Sequence, residues 1–177
     1  MVGGTTSSVQ AMVLYALRPG DKIIMPRNVH RSAINALILA GAVPVYVDPG
    51  RHERLGLALG MTRESVLEAV TEHPDAKAVF VNNPTYYGIC SNLPELARLA
   101  HQSGMLLLAD EAHGTHLYFG DNLPISGMAA GADLAAVSMH KSGGSLTQSS
   151  IMLCGKGVDA EYVQQIINLT QTTSASD

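Results

Sequence analysis

Ser138-Met139-His140-Lys141-Ser142-Gly143-Gly144-Ser145-Leu146-Thr147-Gln148-Ser149-Ser150 is the stretch of the sequence that best indicates its fold and its chemistry. An apolar run at 134–137 precedes it and small residues follow Lys141, so we expect the lysine where a buried strand ends. A lysine attacks a carbonyl group only after it has lost its proton, and partial desolvation favours that loss. Taken alone, however, a lysine at a strand end is usually a surface residue.

A second strand end supplies a carboxylate. Met105-Leu106-Leu107-Leu108-Ala109-Asp110-Glu111-Ala112-His113 is the most hydrophobic strand pattern of the chain, and it ends at Asp110. In sheets built from parallel strands, ligands bind beyond the carboxyl ends of the strands. We therefore expect Asp110 and Lys141 to face each other across a gap about the width of one flat ring.

The rest of the chain alternates between helical and strand patterns. Apolar residues at helical spacing predict helices over 7–17, 30–40, 62–72, 93–103 and 159–169. Short apolar runs predict strands over 22–26, 43–47, 76–82, 105–110, 133–138 and 150–154. Pro44 indicates that the strand at 43–47 lies near a sheet edge. The alternation is typical of an α/β fold with a mostly parallel, doubly wound sheet and helices on both faces.

The composition limits the size and the surroundings of the protein. The 177 residues are 46% hydrophobic and 15% charged, as expected for one compact unit with a sizeable core. A net charge of -4 without a basic cluster argues against nucleic acid and membranes as partners. No run approaches the roughly 18 apolar residues that span a bilayer, and no secretory signal is visible. Cys90 and Cys154 lack metal-ligand or redox spacing, so we expect reduced thiols in a cytoplasmic protein.

Both ends of the sequence suggest a truncated domain. Gly3-Gly4-Thr5-Thr6-Ser7 is a loop of the kind that follows a strand, yet only two residues precede it. At the other end, 170–177 is polar and comes directly after a helical pattern. We therefore expect residues 1–177 to form one partial domain.

The loop before the first helix is a candidate anion site. Free backbone N–H groups, the positive end of the helix dipole and the hydroxyls of Thr5, Thr6 and Ser7 would favour a phosphate there. An ordinary helix N-cap without a ligand is the alternative. The loop is not a nucleotide-binding P-loop, because no lysine follows at the required spacing.

Asp110-Glu111-Ala112-His113 allows three interpretations. The same four letters occur in a nucleotide motif of one group of helicases, but no matching phosphate loop lies upstream. A metal ion could instead be bound by Asp110, His113, His116 and His140. In the third interpretation Asp110 is a buried carboxylate that pairs with a cationic ring nitrogen, because burying an unpaired carboxylate is costly.

Pyridoxal 5'-phosphate would satisfy the third interpretation and the two other features together. Its phosphate suits the hydroxyl-rich loop at Thr5, Thr6 and Ser7. Its aldehyde suits the Lys141 amine as a Schiff base, and its pyridinium nitrogen suits the Asp110 carboxylate. This interpretation requires no metal ion.

Five segments, in the same order, resemble the large domain of fold-type-I pyridoxal-phosphate enzymes, and specifically the ornithine/lysine/arginine decarboxylase family. The segments are Gly4-Thr5-Thr6-Ser7, Pro26-Arg27-Asn28-Val29-His30-Arg31-Ser32, Asn83-Pro84-Thr85-Tyr86-Tyr87-Gly88, Asp110-Glu111-Ala112-His113-Gly114-Thr115-His116 and Ser138-Met139-His140-Lys141. They cover nearly the whole chain, and Ser-x-His-Lys with its downstream Leu-Thr-Gln-Ser-Ser is the most specific. The resemblance implies that 1–177 is part of the pyridoxal-phosphate-binding large domain, without the family's N-terminal segment and C-terminal domain.

The resemblance also implies a cofactor site. The residues that would contact the cofactor are Thr5, Thr6, Ser7, His30, Asp110, His113, Ser138, His140, Lys141 and Thr173. Lys141 would form the Schiff base, Asp110 would keep the ring nitrogen protonated, and His30 would stack on the ring. Thr173 lies in a segment that would reach the phosphate of a neighbouring subunit, which implies a homodimer or larger homo-oligomer with shared sites.

Three other residues have expected roles by the same resemblance. Ser138 would join the threonine hydroxyls on the phosphate, His113 would lie beside the ring substituents, and His140 would lie next to the Schiff base. For two histidines a simpler role stays open. His30 could be a solvent-exposed residue at a helix start, and His140 could merely pack beside the strand.

The activity implied by the resemblance is pyridoxal-phosphate-dependent α-decarboxylation of a basic amino acid, with Lys141, His140 and Asp110 as catalytic residues. Arginine is the first expectation and lysine or ornithine the next, because the short Asp-Glu-Ala-His-Gly segment resembles the smaller bacterial arginine decarboxylases. His140 or Lys141 would return a proton to the α-carbon. The alternatives are another fold-type-I activity, such as an aminotransferase or a condensing enzyme, and an inactive fragment.

Overall fold

A six-stranded sheet with helices on both faces forms the centre of the computed structural model, which describes residues 1–172. The strands are β1 (Lys22–Pro26), β2 (Val43–Val47), β3 (Ala78–Asn82), β4 (Leu106–Glu111), β5 (Leu134–Ser138) and β6 (Ser150–Cys154). The helices are α1 (Thr5–Ala16), α2 (Arg31–Ala40), α3 (Arg63–Glu72), α4 (Leu93–Gln102), α5 (Gly127–Ala130), α6 (Met139–Ser142) and α7 (Ala160–Thr170). A 3₁₀ turn at Thr115–Tyr118 follows β4.

The strand order is β2-β1-β3-β4-β5-β6. The first five strands are parallel, whereas β6 pairs antiparallel with β5. The expectation of a mostly parallel, doubly wound sheet is therefore confirmed. From β1 the chain moves outward to β2 and then returns to the other side of β1 with β3, so the order reverses between β1 and β3. Ligand-binding crevices form at such reversals, beyond the carboxyl ends of the strands.

Two apolar layers cover the sheet. On one face α1 packs against α2 and α7, and its side chains Val9, Met12 and Val13 are fully buried. On the other face α3 and α4 pack against each other and bury Val66 and Leu96. The central strands β3 and β4 are buried on both faces, which explains why the sequence shows them as continuous apolar runs rather than alternating ones.

The edge position expected from Pro44 is also found. Within the described residues β2 pairs with β1 alone, and Pro44 lies in register with Ile23. Proline has no N–H to donate to a second neighbour, so it is tolerated at an edge and not in the centre of a sheet.

Three details differ from the sequence-based prediction. His30 is the N-cap of α2, which begins one residue later, at Arg31. Gly127–Ala130 is a short helix within a segment expected to be mostly loop. Lys141 lies in the four-residue helix α6 rather than in a loop of small residues. None of the helices between residues 1 and 172 is long and apolar enough to cross a membrane.

Candidate active site

A cavity of about 520 Å³ opens beyond the carboxyl ends of the parallel strands. The predicted site residues that line it are Thr5, Thr6, His30, Asp110, His113, His140 and Lys141. Two other predicted residues are sequence neighbours of lining residues. Ser7 follows Thr6 and is half-buried in the first turn of α1, and Ser138 precedes His140 by two positions and is fully buried at the end of β5. Thr173 falls outside the described residues. The fold thus brings together, at one edge of the sheet, side chains that are up to 136 positions apart, from Thr5 to Lys141.

The N-terminus of α1 provides the anion-binding features expected from the sequence. Gly4 is its N-cap, and no side chain caps the helix there. Thr5 is buried, and its hydroxyl Oγ1 has no hydrogen-bond partner among the described residues. Both Thr5 and Thr6 line the cavity. A helix start with free N–H groups and an unpaired buried hydroxyl suits a phosphate.

Asp110 supplies the buried carboxylate of the cavity. It accepts one hydrogen bond, from the Ala112 N–H at 3.1 Å. Burial raises the pKa of Asp110, while that hydrogen bond and the positive charges of His30 and Lys141 act in the opposite direction. A cationic N–H donor placed in the cavity would favour the charged carboxylate and offset its loss of hydration.

Asn82 lies beside Asp110, because the two residues are in register on β3 and β4. Its side-chain N–H donates to the Asn28 carbonyl at 2.9 Å. Its oxygen Oδ1 is buried without a partner among the described residues, and Asn82 lines the cavity. The Asn82 Oδ1 is therefore a second polar atom near Asp110 that is left for a ligand. The sequence did not indicate that Asn82 belongs to the site.

Lys141 and His113 form a close pair across the cavity. The Lys141 Nζ lies 3.4 Å from the His113 Nε2. Desolvation lowers the pKa of His113, and the positive charges of Lys141 and His30 lower it further. The imidazole is therefore held neutral, with Nε2 able to accept a hydrogen bond from the Lys141 ammonium group. Tyr86 stands edge-on to the same imidazole, with ring centroids 5.5 Å apart and an interplanar angle of 87°.

Each of the other two histidines is fixed by a hydrogen bond at Nδ1. The His30 Nδ1 accepts from the Ser32 N–H at 3.1 Å, which fixes the ring at the start of α2 although the residue is exposed. The His140 Nδ1 lies 2.9 Å from the Ser149 carbonyl oxygen and 3.2 Å from the Ser149 N–H. Both rings line the cavity, and His30 is at the same time the exposed N-cap residue of α2.

A buried hydrogen bond joins the two segments that carry His113 and Lys141. The Thr115 hydroxyl donates to the Ser138 carbonyl at 2.6 Å, and both residues are buried. Ser138 is the last residue of β5 and directly precedes α6. Thr115 therefore fixes the loop after β4 against the strand that leads to Lys141.

The metal interpretation finds no support in the arrangement. Among the described residues, no three His, Cys, Asp or Glu side chains converge as ligands of a metal ion do. His113 pairs with Lys141 and His140 pairs with Ser149 instead.

Sequence reasoning missed one wall of the cavity. No helix or strand was predicted for the segment 48–60, but an antiparallel bridge between Arg51 and Ala58 shapes it into a hairpin whose residues face the cavity. Gln148 and Tyr87 also line the cavity. The polar composition of these loops was visible in the sequence, but their approach to the site depends on tertiary contacts.

Taken together, the donors and acceptors fit a group that carries a phosphate, a protonated ring nitrogen and a carbonyl. The unpaired Thr5 hydroxyl lies at a helix start, the desolvated Asp110 carboxylate accepts a single hydrogen bond, and the Lys141 amine lies beside the His113 imidazole. Pyridoxal phosphate has these three features.

Comparison with known proteins points to one family. The family described as "Orn/Lys/Arg decarboxylase, major domain" matches residues 1–177. The chain is 49% identical to an arginine decarboxylase of Bacillus subtilis over 176 residues, which is 99% of this chain and 36% of that protein. It is 48% identical to an arginine decarboxylase of Bacillus cereus, with 99% of this chain and 38% of that protein covered. The chain thus spans somewhat more than a third of the length of these relatives.

Solved structures show the same fold. Lysine decarboxylase A from Pseudomonas aeruginosa superimposes with a TM-score of 0.82 at 22% identity, over 99% of this chain and 26% of that one. An aspartate aminotransferase of Thermus thermophilus gives a TM-score of 0.72 at 23% identity, over 96% of this chain and 45% of that one. The fold is therefore that of fold-type-I pyridoxal-phosphate enzymes.

Proposed function

Because the chain belongs to the Orn/Lys/Arg decarboxylase family, we propose that it forms the cofactor-binding part of a pyridoxal-phosphate-dependent enzyme that decarboxylates a basic amino acid. Arginine is the first candidate substrate, and lysine or ornithine is the next. The observation that carries the proposal is the presence of Lys141, Asp110 and the start of α1 around one cavity. We expect the enzyme to act in the cytoplasm.

Four groups of the chain would hold the cofactor. Thr5 and Thr6 would bind the phosphate, Asp110 the ring nitrogen, and Lys141 the aldehyde carbon, while His30 would cover one face of the ring. When bound, pyridoxal phosphate supplies an electron sink for the pair that remains on the α-carbon as carbon dioxide leaves. The residues around it must orient the substrate and control protons.

Asp110 would keep the ring nitrogen protonated. Without a cation, burial raises the pKa of this carboxyl and favours its neutral form. A pyridinium N–H within hydrogen-bond distance reverses that preference, because opposite charges stabilise each other strongly where water is excluded. The same attraction makes the ring nitrogen more basic, so it stays positive at neutral pH.

His113, His140 and Lys141 would manage protons on the other side of the cavity. The neutral His113 Nε2 accepts from Lys141 Nζ and so fixes the position of the amine. His140 uses Nδ1 for its contacts with Ser149, which leaves Nε2 as the atom that could deliver a proton to the α-carbon. Lys141 Nζ is the other candidate donor.

Subunit contacts are also part of the proposal. We expect a homodimer or a larger homo-oligomer in which Thr173 contacts the phosphate of a neighbouring subunit. This prediction rests on the family resemblance alone.

The test uses the full-length protein supplied with pyridoxal phosphate. Borohydride reduction followed by peptide mass spectrometry should find the cofactor on Lys141, and Lys141→Ala should abolish the adduct. Incubation with arginine, lysine and ornithine should release carbon dioxide and the corresponding amine, with arginine the most active. An adduct that persists in Lys141→Ala would refute the assignment of the lysine, and a keto acid product would identify an aminotransferase instead.

A further inference from the structure

We propose that Tyr86 and Tyr87 bind the distal cation of the substrate through their aromatic faces. The proposal rests on the proposed function, namely a substrate with a basic side chain. It gives this tyrosine pair at the cavity wall a role in substrate specificity. The family description does not specify a function for the pair.

The first argument is the charge of the cavity. Of the described residues that line it, Asp110 is the only carboxylate, and it lies buried where the ring nitrogen is expected. The other lining residues with a permanent charge are Arg51 and Lys141, both cationic. Within the described residues a guanidinium or ammonium group therefore meets no second carboxylate in the cavity, and the groups of the Tyr86 and Tyr87 wall that could attract it are uncharged.

The second argument is the unusual exposure of the two tyrosines. Tyr86 is 78% exposed and Tyr87 is 58% exposed, although both line the cavity. Their ring centroids are 5.5 Å apart with an interplanar angle of 89°, so they present faces in two perpendicular directions. Cations bind over aromatic faces, and a guanidinium group also stacks on them.

The third argument is position along the cavity. Lys141 marks the place where the α-amine of an amino acid would react, His113 contacts Lys141, and Tyr86 contacts His113. The tyrosine pair is therefore one residue removed from the amine along the wall of the same cavity, within reach of a long side chain with a terminal cation. Desolvation and the nearby Lys141 charge lower the pKa of His113, so the group between them is neutral and does not repel that cation.

The fourth argument is the rigidity of the loop. The Gly88 N–H donates to the Thr85 carbonyl at 2.9 Å, and the Ile89 N–H contacts the Thr85 hydroxyl at 3.2 Å. At the base of the loop the Ser91 N–H donates to the Asn83 Oδ1 at 2.8 Å. A loop closed on itself in this way lowers the cost of ordering the backbone that carries both rings.

The experiment compares two ligands that differ in charge but hardly in shape. Agmatine is the amine that arginine would yield, and N-carbamoylputrescine is its uncharged urea counterpart. Their dissociation constants are measured by calorimetry on the full-length protein loaded with pyridoxal phosphate. In Tyr86→Leu/Tyr87→Leu we expect agmatine to bind about 5- to 30-fold more weakly, the range that a lost cation–π contact gives, and the urea counterpart to change less than about twofold.

Matched variants separate the aromatic face from other effects. Tyr86→Phe/Tyr87→Phe keeps both faces and should bind agmatine like the wild type. Phe119→Leu removes an aromatic side chain that is 83% exposed but does not line the cavity, and it should change neither constant.

Two results would overturn the proposal. Equal weakening of both ligands in the leucine variant would mean that the tyrosines only shape the cavity, and unchanged agmatine affinity would mean that they do not contact the cation. If the wild-type protein binds neither ligand and releases no carbon dioxide from arginine, lysine or ornithine, the proposed function fails first and this proposal fails with it.

Discussion

Asp110 and Glu111 are neighbouring buried carboxyl groups at the end of β4, and they serve different purposes. Successive side chains of a strand point to opposite faces, so only Asp110 lines the cavity. Asp110 accepts a single hydrogen bond, from Ala112. Glu111 accepts one from the Gly127 N–H at 2.7 Å and another from the Tyr118 hydroxyl.

The difference shows that burial alone does not identify a functional carboxylate. Desolvation raises the pKa of both groups, but at Glu111 the hydrogen bonds from Tyr118 and Gly127 oppose it. Glu111 is thereby satisfied within the chain and ties β4 to the 3₁₀ turn and to α5. Among the described residues Asp110 accepts only the Ala112 N–H, and the proposed function would complete it with a cationic ligand.

The largest expected effect is on catalytic activity, which should fall far more when Asp110 is replaced than when Glu111 is. Asp110→Asn should lower kcat/KM for arginine on the order of 10³-fold, because a neutral amide cannot hold the ring nitrogen protonated and several kcal/mol of electrostatic stabilisation are lost. Glu111→Gln should stay within about tenfold of the wild type, since the amide oxygen can still accept a hydrogen bond. Steady-state carbon dioxide release from the full-length variants measures both. Equal losses would show that the two groups act as one unit.

The second prediction concerns stability, for which the ranking of the two carboxyl groups should be reversed. Glu111→Ala should lower the free energy of unfolding by about 1–3 kcal/mol, because it leaves the Gly127 N–H without its acceptor and removes one partner of the Tyr118 hydroxyl. Asp110→Asn should cost less than about 1 kcal/mol in the cofactor-free protein, since it removes a carboxyl group that is poorly hydrated and poorly paired. Urea unfolding of the cofactor-free variants gives both values, and a larger cost at Asp110 would contradict the comparison.

The third prediction concerns pH. A raised pKa means that the folded state prefers the protonated carboxyl, so its stabilisation is present below the unfolded pKa of about 4 and is lost as pH rises through the folded pKa. The cofactor-free protein should therefore lose stability with rising pH, by about 1.4 kcal/mol for each unit by which the folded and unfolded pKa values differ. Asp110 and Glu111 both contribute with this sign.

Cofactor binding should remove the contribution of Asp110 to the pH dependence of stability and leave the contribution of Glu111. Asp110→Asn should make the pH dependence of the cofactor-free protein shallower, and pyridoxal phosphate should do the same to the wild type, because a cation beside Asp110 favours its charged form. The contribution of Glu111 should persist in both cases. Urea unfolding at several pH values between about 4.5 and 8, in the range where these carboxyl groups titrate, measures the slopes. If the slope of the unfolding free energy against pH were unchanged in Asp110→Asn, the assignment of a raised pKa to Asp110 would be refuted.

The sequence predicted that Asp110 and Lys141 would meet, because both follow strand patterns and parallel strands end at one edge. Lys141 lowers the pKa of Asp110 electrostatically, and both line the cavity. The sequence could not show that Lys141 lies in a helix. A backbone hydrogen bond from the Met139 N–H to the Ser149 carbonyl, at 3.0 Å, ties the start of α6 to the start of β6, and no local pattern encodes such a contact.

The same limit applies to the partners of Glu111 and to the wall of the cavity. Glu111 appeared in the sequence only as a letter of the motif that contains Asp110, and its partner Gly127 is 16 positions away. A Cβ atom added at Gly127 would lie 2.8 Å from the Glu111 Oε2, so a side chain at this position would force the buried Glu111 carboxyl group to shift. The hairpin that joins Arg51 to Ala58 likewise depends on its tertiary surroundings.

The smallest expected effect tests whether the loop after β4 and the end of β5 are coupled through Thr115. Its hydroxyl donates to the Ser138 carbonyl at 2.6 Å and so connects the loop of His113 with the strand that leads to Lys141. Thr115→Val should lower the free energy of unfolding by about 1 kcal/mol, the usual net value of one hydrogen bond, and Thr115→Ser should retain it. If Thr115 also positions His113 against Lys141, pyridoxal phosphate should attach to Lys141 more slowly in the valine variant and at the normal rate in the serine variant. Trapping with borohydride at successive times measures this rate. Slower capture in the serine variant alone would point to the lost methyl packing rather than to the hydrogen bond, since serine keeps the hydroxyl and lacks the methyl that valine retains.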